Sequence, residues 1–429
     1  MTAKSDQPTN QIGLAGKTDT RDAILAEAAG QFNEHGYFDT RLEDIAERIG
    51  VAKTSISYHF KSKEALLEEA YLQTCDFSDA EFKVAEKAQT GLLRAMHIIR
   101  AHAYAHANNL AGKAAPLALI SDISALAEKD QVTIGTRYRD HMRAYKRFLN
   151  DGLEDGSINI RSVDASAFFV FSVLHWLPRW LSTIPLNLHD QAIDELCDVV
   201  QFGIASSRER APAPSIARSS DENISDMFDR EMRNRLKREA FLRAGTRHLN
   251  LKGFRSLSLN DIAHELGVTR GAFYYYIEDK EALVEHCFQR SCDLIESAQS
   301  LAKASAVDAL QELESSLRQL FECHITELDP LVRLSLVNTL PSPQRSSILA
   351  RLKKLSASFA ETLARAMVDG SARPVNLEAA EQLIIGSIFA ASRRRLGYTA
   401  LDETWRPTEK PYAASADYFE VLLTGLASR

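Results

Sequence analysis

The side chains of this 429-residue chain that could do chemistry are recognition groups, not reacting ones. Lys53, Thr54, Ser55, Ser57, Tyr58 and His59 crowd one short stretch, and Thr269, Arg270, Gly271, Tyr274, Tyr275 and Tyr276 crowd another. Hydroxyls, imidazoles and cations at such density suit phosphate oxygens and base edges. His97, His102 and His106 form a third group, with 102 and 106 spaced i, i+4 on one helix face. That spacing could hold a metal, but no third ligand accompanies it, and imidazoles lining a polar pocket are the other reading. No Ser-His-Asp elbow, phosphate-loop glycine pattern or paired catalytic carboxylates appear. The sequence therefore predicts no enzyme, no cofactor and no metal centre. The five cysteines, at 75, 197, 287, 292 and 323, are scattered and odd in number. They fit packing in a reducing cytoplasm better than a disulfide framework or a metal ribbon.

The elements that would position these groups occur twice. VAKTSISYHFKSKEAL (51–66) and VTRGAFYYYIEDKEAL (268–283) agree at their ends and differ in the middle. About a third of the positions from Arg21 to Asp76 match those from Arg238 to Asp293 without a gap. So long a period means duplicated domains and not a solenoid. LNDGLEDGSI, ending near Gly156, and LARAMVDGSA, ending near Gly370, extend the repeat. SSRERAPAPSIARSSDEN (206–223) is rich in Ser, Pro and Arg without apolar periodicity, and reads as a linker. The expected organisation is a disordered arm (1–17), a first module divided into a head (18–66) and a helical domain (67–205), and a linker (206–227). A second head (228–283) and a second helical domain (284–429) follow.

Every element reads as helix, so the fold class is all-α. Leu25, Ala28, Ala29 and Phe32 share one face, as do Leu42, Ile45, Ala46 and Ile49. Thr40 with Glu43 has the form of a capping box for the second helix, and Gly50 stops it. Lys53 to Phe60 form a third helix with Ile56 and Phe60 inward, and Ser62 caps a long fourth. The second copy repeats this with Leu259, Ile262, Ala263 and Leu266, then Phe273 and Ile277, and Asp279 as the cap. A short helix, a tight turn and another short helix offering a polar outer face is the helix-turn-helix arrangement, which places that outer face in a major groove.

Net charge of −7 and a pI near 6.0 give no overall case for nucleic acid, so the case is local. Residues 17–70 hold seven Lys/Arg against eleven Asp/Glu, and residues 230–287 hold eleven against eight. REMRNRLKR (230–238) could contact phosphate or a minor groove, or be a solvated first helical turn. The most apolar run, AFFVFSVLHWLPRWL (167–181), is too short for a membrane span and is broken by His175, Pro178 and Arg179.

GYFDTRLEDIAERIGVAKTSISYHFKSKEAL (36–66) and GFRSLSLNDIAHELGVTRGAFYYYIEDKEAL (253–283) resemble the DNA-binding domain of the TetR family of bacterial repressors. The resemblance implies two modules, each a three-helix DNA-binding domain followed by a helical ligand-binding and dimerisation domain. It implies that Tyr274 is a phosphate-contacting tyrosine, that Lys63 and Lys280 are the lysines opening the fourth helix, and that Arg41 and Ser258 sit beside the DNA backbone. Ser57 and Thr54 stand where the family has Tyr and Gly, and Ile277 and Tyr276 where it has Phe and His, so the first head reads as the weaker or differently specific one. FSVLHWLPRWL (171–181) and HDQAIDELCDVVQFGIAS (189–206) resemble the last two helices of such ligand domains. Trp176 and Trp180 share a face and read as core and interface packing, or as a pocket wall. His102, His106, Phe169 and Trp176 are the candidate ligand-pocket residues. The flavour of this stretch implies a small hydrophobic or acyl-CoA-like effector. In the second copy Arg393–Arg395 could meet a CoA phosphate or carboxylate, or be solvated surface. The expectation is a ligand-responsive, cytoplasmic and nucleoid-associated repressor of lipid, steroid or acyl-CoA metabolism or efflux genes, binding an asymmetric operator as a pseudo-dimer within the chain, with further homodimerisation open. The alternatives are that only the second module binds DNA, or that the protein binds small molecules with no DNA role.

Overall fold

The computed structural model describes residues 20–210, 213, 230–325, 330–391 and 411–428. The arm 1–17, most of the linker and Arg393–Arg395 lie outside them. The first module runs α1 (Thr20–His35), α2 (Leu42–Arg48), α3 (Lys53–His59), α4 (Lys63–Ala85), α5 (Gly91–Leu110), α6 (Glu128–Glu154), α7 (Val163–Leu181) and α8 (His189–Phe202). The second runs α9 (Arg230–Lys252), α10 (Leu259–Glu265), α11 (Arg270–Tyr274), α12 (Lys280–Ser305), α13 (Ala309–Ile325), α14 (Ser342–Asp369), α15 (Leu377–Ala391), α16 (Pro411–Tyr418) and α17 (Glu420–Thr424). Extended pairing among the described residues is limited to two isolated bridges, Ile158 with Ala427 and Ala205 with Ala372.

Each head closes on the apolar face its sequence predicts. Leu25, Ala28, Ala29 and Phe32 of α1 meet Ile45, Ala46, Ile56 and Phe60 in one core, all buried. Ile262, Ala263, Phe273 and Ile277 do the same below α9. Ser62 accepts a hydrogen bond from the Ala65 N–H at 3.2 Å, and Asp279 from the Ala282 N–H at 2.7 Å, so both long fourth helices begin at side-chain caps. The capping box expected at Thr40 is absent. Arg41 occupies the cap position of α2, and the buried Thr40 hydroxyl instead donates to the Gly36 carbonyl at 2.8 Å. Burial turns the hydroxyl to this carbonyl, and so away from the helix N-terminus. In the second head Ser258 does cap α10, accepting from the Asp261 N–H at 3.1 Å.

The quoted Asp-Gly-Ser triplets fasten the ends of matching helices. Asp155 accepts from the Gly91 N–H at 2.8 Å and Ser157 from the Leu92 N–H, while Asp369 and Ser371 do the same for Ala309 and Leu310. In each module this ties the end of one long helix to the start of another and satisfies orphan helix donors.

The modules meet along α7 and α8 on one side and α15, α16 and α17 on the other. Their backbone pairing is reciprocal. The Asn159 N–H donates to Leu426 O and the Arg373 N–H to Ile204 O, each at 2.9 Å; the Ile204 N–H donates to Leu422 O and the Leu426 N–H to Val200 O. These partners exchange places between the repeats, as at a two-fold contact between like surfaces. Gly203 and Gly425 sit at its centre with φ of +69° and +75°. A Cβ on either would lie within 2.4 Å of the opposing backbone, so the crossing requires glycine twice.

The linker begins later than residue 206. Ser206 donates to Gly370 O at 2.7 Å, Arg208 to Asn159 O at 2.7 Å and Gly425 O at 3.1 Å, and Arg210 pairs with the buried Glu314. Residues 206–210 are therefore docked on the second module, because arginine and serine side chains there saturate carbonyls at the crossing. Their polar, proline-flanked composition concealed this.

Candidate nucleic-acid interface and effector cavities

The two recognition helices present different electrostatics on the same frame. On α3, Lys53, Thr54, Ser57 and Tyr58 are exposed, Tyr58 at 86%, with Ser55 and His59 half-buried. The Lys53 ammonium lies 2.6 Å from Glu43, and Arg41 lies 3.8 Å from Glu43 and 4.0 Å from Asp44. Lys53 and Arg41 are thus answered by carboxylates of their own head, and the Lys53 hydrogen bond holds the Glu43 carboxyl below its usual range. On α11, Thr269, Arg270, Gly271, Tyr274 and Tyr275 are exposed, Tyr275 at 79%. Arg270 lies 5.2 Å from the Tyr274 ring centroid and makes no ion pair among the described residues. Thr269 caps α11 by accepting from the Ala272 N–H at 3.2 Å.

Two expected contact residues are placed otherwise. Tyr276 is half-buried: its hydroxyl donates to Asn234 at 2.9 Å and its ring packs on Phe241, so it braces α9. A short helix ends at Tyr274, and the backbone turn beyond it rotates position 276 inward. Lys63 donates to the carbonyls of Tyr37 at 2.8 Å and Thr40 at 3.0 Å, with its ammonium 4.1 Å from the Tyr37 ring centroid. Burial holds its pKa below the ordinary lysine value. It locks the loop ahead of α2 and is not turned to solvent. Lys280 stands more loosely, 3.5 Å from Arg255 O. REMRNRLKR forms the opening turns of α9.

The heads touch each other through equivalent loops. Asp39 accepts from the backbone N–H groups of Phe254 at 3.3 Å and Arg255 at 3.1 Å. Beneath this, Asp122 and Arg333 form a buried ion pair at 3.1 Å between the modules, and Asp122 also accepts from the Tyr37 N–H at 3.0 Å. Two asparagines at matching positions latch each head to its own helical domain. Asn33 donates to Leu117 O at 2.8 Å and accepts from the Leu119 N–H at 2.7 Å; Asn250 donates to Leu331 O at 2.9 Å and accepts from the Arg333 N–H at 2.8 Å. The signal for this latch lay in the repeated Asn and in the Pro-Leu pairs at 116–117 and 330–331, which the spacing argument passed over.

The first helical domain holds a narrow cavity of about 60 Å³ whose walls include four imidazoles: His102, His106, His141 and His175. His102 Nδ1 donates to Ile98 O at 2.9 Å, leaving Nε2 to accept from the Ser78 hydroxyl at 3.3 Å. His175 Nδ1 donates to Phe171 O at 2.7 Å, and His141 stacks on Phe82 with Nε2 2.5 Å from Asp79. Burial pulls the pKa of His102 down to about 4 and of His106 to about 3, so both are neutral near pH 7. His97 lies apart, 2.9 Å from Glu81. No group of three or more His, Cys, Asp or Glu among the described residues is arranged to hold a metal ion. Of the expected pocket residues, His102 and His106 line this cavity. Trp176 lines a larger neighbouring one and donates to Gln382 at 3.2 Å. Phe169 lines neither; it is fully buried against Tyr418 of the second module, so it belongs to the crossing. Trp180 is buried at 2%, in keeping with packing. In the second module the hydrogen-bonded frame puts Leu320, His324, Leu355 and Phe389 at the four imidazole positions, all buried. Cys75 and Cys292 are also buried, and burial pushes their thiols up to about 12 and about 11.

Among known proteins, residues 24–70 and 241–287 each match the family described as bacterial regulatory proteins, tetR family. Over 63 residues the chain is 44% identical to the HTH-type transcriptional regulator RutR of Escherichia coli strain K12, covering 15% of this chain and 30% of that protein. Over 50 residues it is 40% identical to the biofilm operon icaADBC HTH-type negative transcriptional regulator IcaR of Staphylococcus aureus strain Newman, covering 12% and 27%. The chain thus spans less than a third of the length of these curated relatives. Among solved structures it is similar to the TetR family regulator PfmR from Thermus thermophilus, with 26% identity and a TM-score of 0.35 over 42% of this chain and 95% of that one. No helix among the described residues is long and apolar enough to cross a membrane.

Proposed function

This chain belongs to the tetR family of bacterial regulatory proteins through both of its helix-turn-helix domains, and from that premise we propose that it is a ligand-responsive transcriptional repressor whose single chain supplies both halves of a DNA reader. The reciprocal backbone pairing around Gly203 and Gly425 is the observation that supports this reading, since like segments of the two modules exchange partners there as the halves of a dimer would. Helix-turn-helix dimers read half-sites about one helical turn apart, ~34–36 Å. Here Lys53, Thr54, Ser55, Ser57, Tyr58 and His59 would face one half-site, with Arg41 at the backbone. Thr269, Arg270, Gly271, Tyr274 and Tyr275 would face the other, with Ser258 and Lys280 at the backbone. The operator is then asymmetric.

The effector, a small hydrophobic or acyl-CoA-like molecule, binds the first helical domain. Ordering that domain would move the Asn33 latch and shift the spacing of the heads. The protein acts in the bacterial cytoplasm on the nucleoid. A mobility-shift titration tests the reading: binding that weakens steeply as salt rises supports it, and salt-insensitive or absent binding to the flanking intergenic DNA contradicts it.

The neutralised cations of the first head favour a second reading, in which the second head supplies nearly all the DNA affinity and the first module serves as a sensing half. Alanine at Lys53 and Tyr58 separates the two, being silent only in the second.

A further inference from the structure

A cavity of about 550 Å³ opens where the first head, the first helical domain and the second module meet. This lies within the ~300–1,000 Å³ typical of small-molecule sites. The imidazole cavity beside it, at about 60 Å³, has room for roughly two waters. Gly30 and Glu34 of α1 form one wall, Trp176 and Arg179 of α7 a second, and Leu334 and Phe389 of the other module a third. Trp176 and Phe389 stack at 6.4 Å between centroids and make a continuous aromatic floor across the module boundary.

The charges in this cavity are unevenly answered. Arg333 on its wall is held by Asp122. The Arg179 guanidinium makes no ion pair among the described residues; it rests 5.8 Å from the Trp176 ring centroid and keeps exposed surface toward the cavity. Surrounding protein strips its water and holds its pKa below the usual arginine value, against the pull of Glu34. Glu34 itself is exposed on the rim and lies 3.8 Å from His35. His106 and His175, shared with the narrower cavity, complete the polar side as imidazoles. A partly desolvated, unpaired guanidinium over an apolar floor is the planar fork that carboxylate, sulfonate or phosphate groups fill.

We propose that this junction cavity is a binding site for an amphipathic organic anion, its charge on Arg179 and its apolar or aromatic body along Trp176 and Phe389. The site goes beyond the effector reading above, because neither module alone contains it. Its occupant would touch α1 of the first head directly.

The test uses the full chain and 8-anilinonaphthalene-1-sulfonate, titrated by its own emission and by quenching of tryptophan emission, without DNA. Failure here therefore leaves the DNA reading standing. Saturable one-to-one binding is expected. Arg179→Leu should weaken it by about tenfold or more, and Glu34→Gln should tighten it by about twofold or more. Gly30→Leu should abolish it. A Cβ at Gly30 meets nothing within 4 Å, so the added side chain fills the cavity while a helix-interior glycine is replaced by a better helix former. Its melting temperature should therefore be unchanged or higher, which separates a filled site from an unfolded chain. His102→Phe, which fills only the narrow cavity, should bind the probe as the parent does. The proposal is overturned by absence of saturable binding, by parent-like affinity in Arg179→Leu or Gly30→Leu, by weaker binding in Glu34→Gln, or by loss of binding in His102→Phe.

Discussion

The two modules share a hydrogen-bonded frame and differ in what the frame holds. Arg137 spans Asp76 and Asp79 as Arg351 spans Asp293 and Glu296, and the Asn33 and Asn250 latches are alike. Inside that frame the first module keeps four imidazoles around a cavity, while the second keeps one and fills the rest with Leu320, Leu355 and Phe389. Outside it, the first head neutralises its own cations and the second leaves Arg270 open. Duplication preserved what holds the helices together and let the cavity walls and the exposed faces of the recognition helices diverge. On the proposed reading this difference would divide the labour, with sensing weighted to the first module and grip to the second.

The largest effect should come from a buried contact with no counterpart in the other copy. At the positions matching Arg333 and Asp122 the frame places Leu119 and Leu336. Arg333→Leu strands a buried carboxylate and should destabilise the chain by roughly 3–5 kcal/mol, read as a fall of several degrees or more in melting temperature. An unchanged melt would mean that the modules do not depend on this pair.

Acid should act next. A histidine whose folded pKa is depressed contributes its stability above the unfolded value and loses it as pH falls toward the folded one. His102, at about 4 against an ordinary 6.5, should therefore cost about 3 kcal/mol between those pH values. His102→Leu copies the second module at this position. Denaturation curves at pH 7 and pH 5 should lie closer together in that variant than in the parent; an equal or wider gap would break the assignment.

The heads should then separate in DNA binding. Arg270→Ala should lower affinity by about tenfold and reduce the salt slope by about one. Lys53→Ala should do less than about threefold, because Glu43 already holds that ammonium. Glu43→Gln, which releases Lys53, should raise affinity by a similarly small factor at low salt. Equal losses from Arg270→Ala and Lys53→Ala would erase the contrast between the heads.

Local chemistry was legible where one residue decides the outcome. The caps at Ser62 and Asp279, the inward Ile56, Phe60, Phe273 and Ile277, and the repeat itself follow from type and spacing. Thr40 was misleading because a buried carbonyl competed for its hydroxyl. Lys63 and Tyr276 carry the right side chains for DNA, but loop carbonyls and Asn234 claim them first. Phe169 lies on the helix that lines the cavity and faces Tyr418 instead. Asp39, Asp122 and Arg333 gave no signal, since each meets its partner across more than 200 residues of chain and none recurs in the other copy.

The central claim is that one chain carries two unlike halves of a single reader. Hydroxyl-radical footprinting of the operator, with parent and Arg270→Ala proteins at one chain per site, tests it most directly. The account predicts two protected segments about one helical turn apart, ~34–36 Å, whose sequences are not inverted repeats, and loss of protection in one segment only. A perfect palindrome from which both segments fade equally would contradict it.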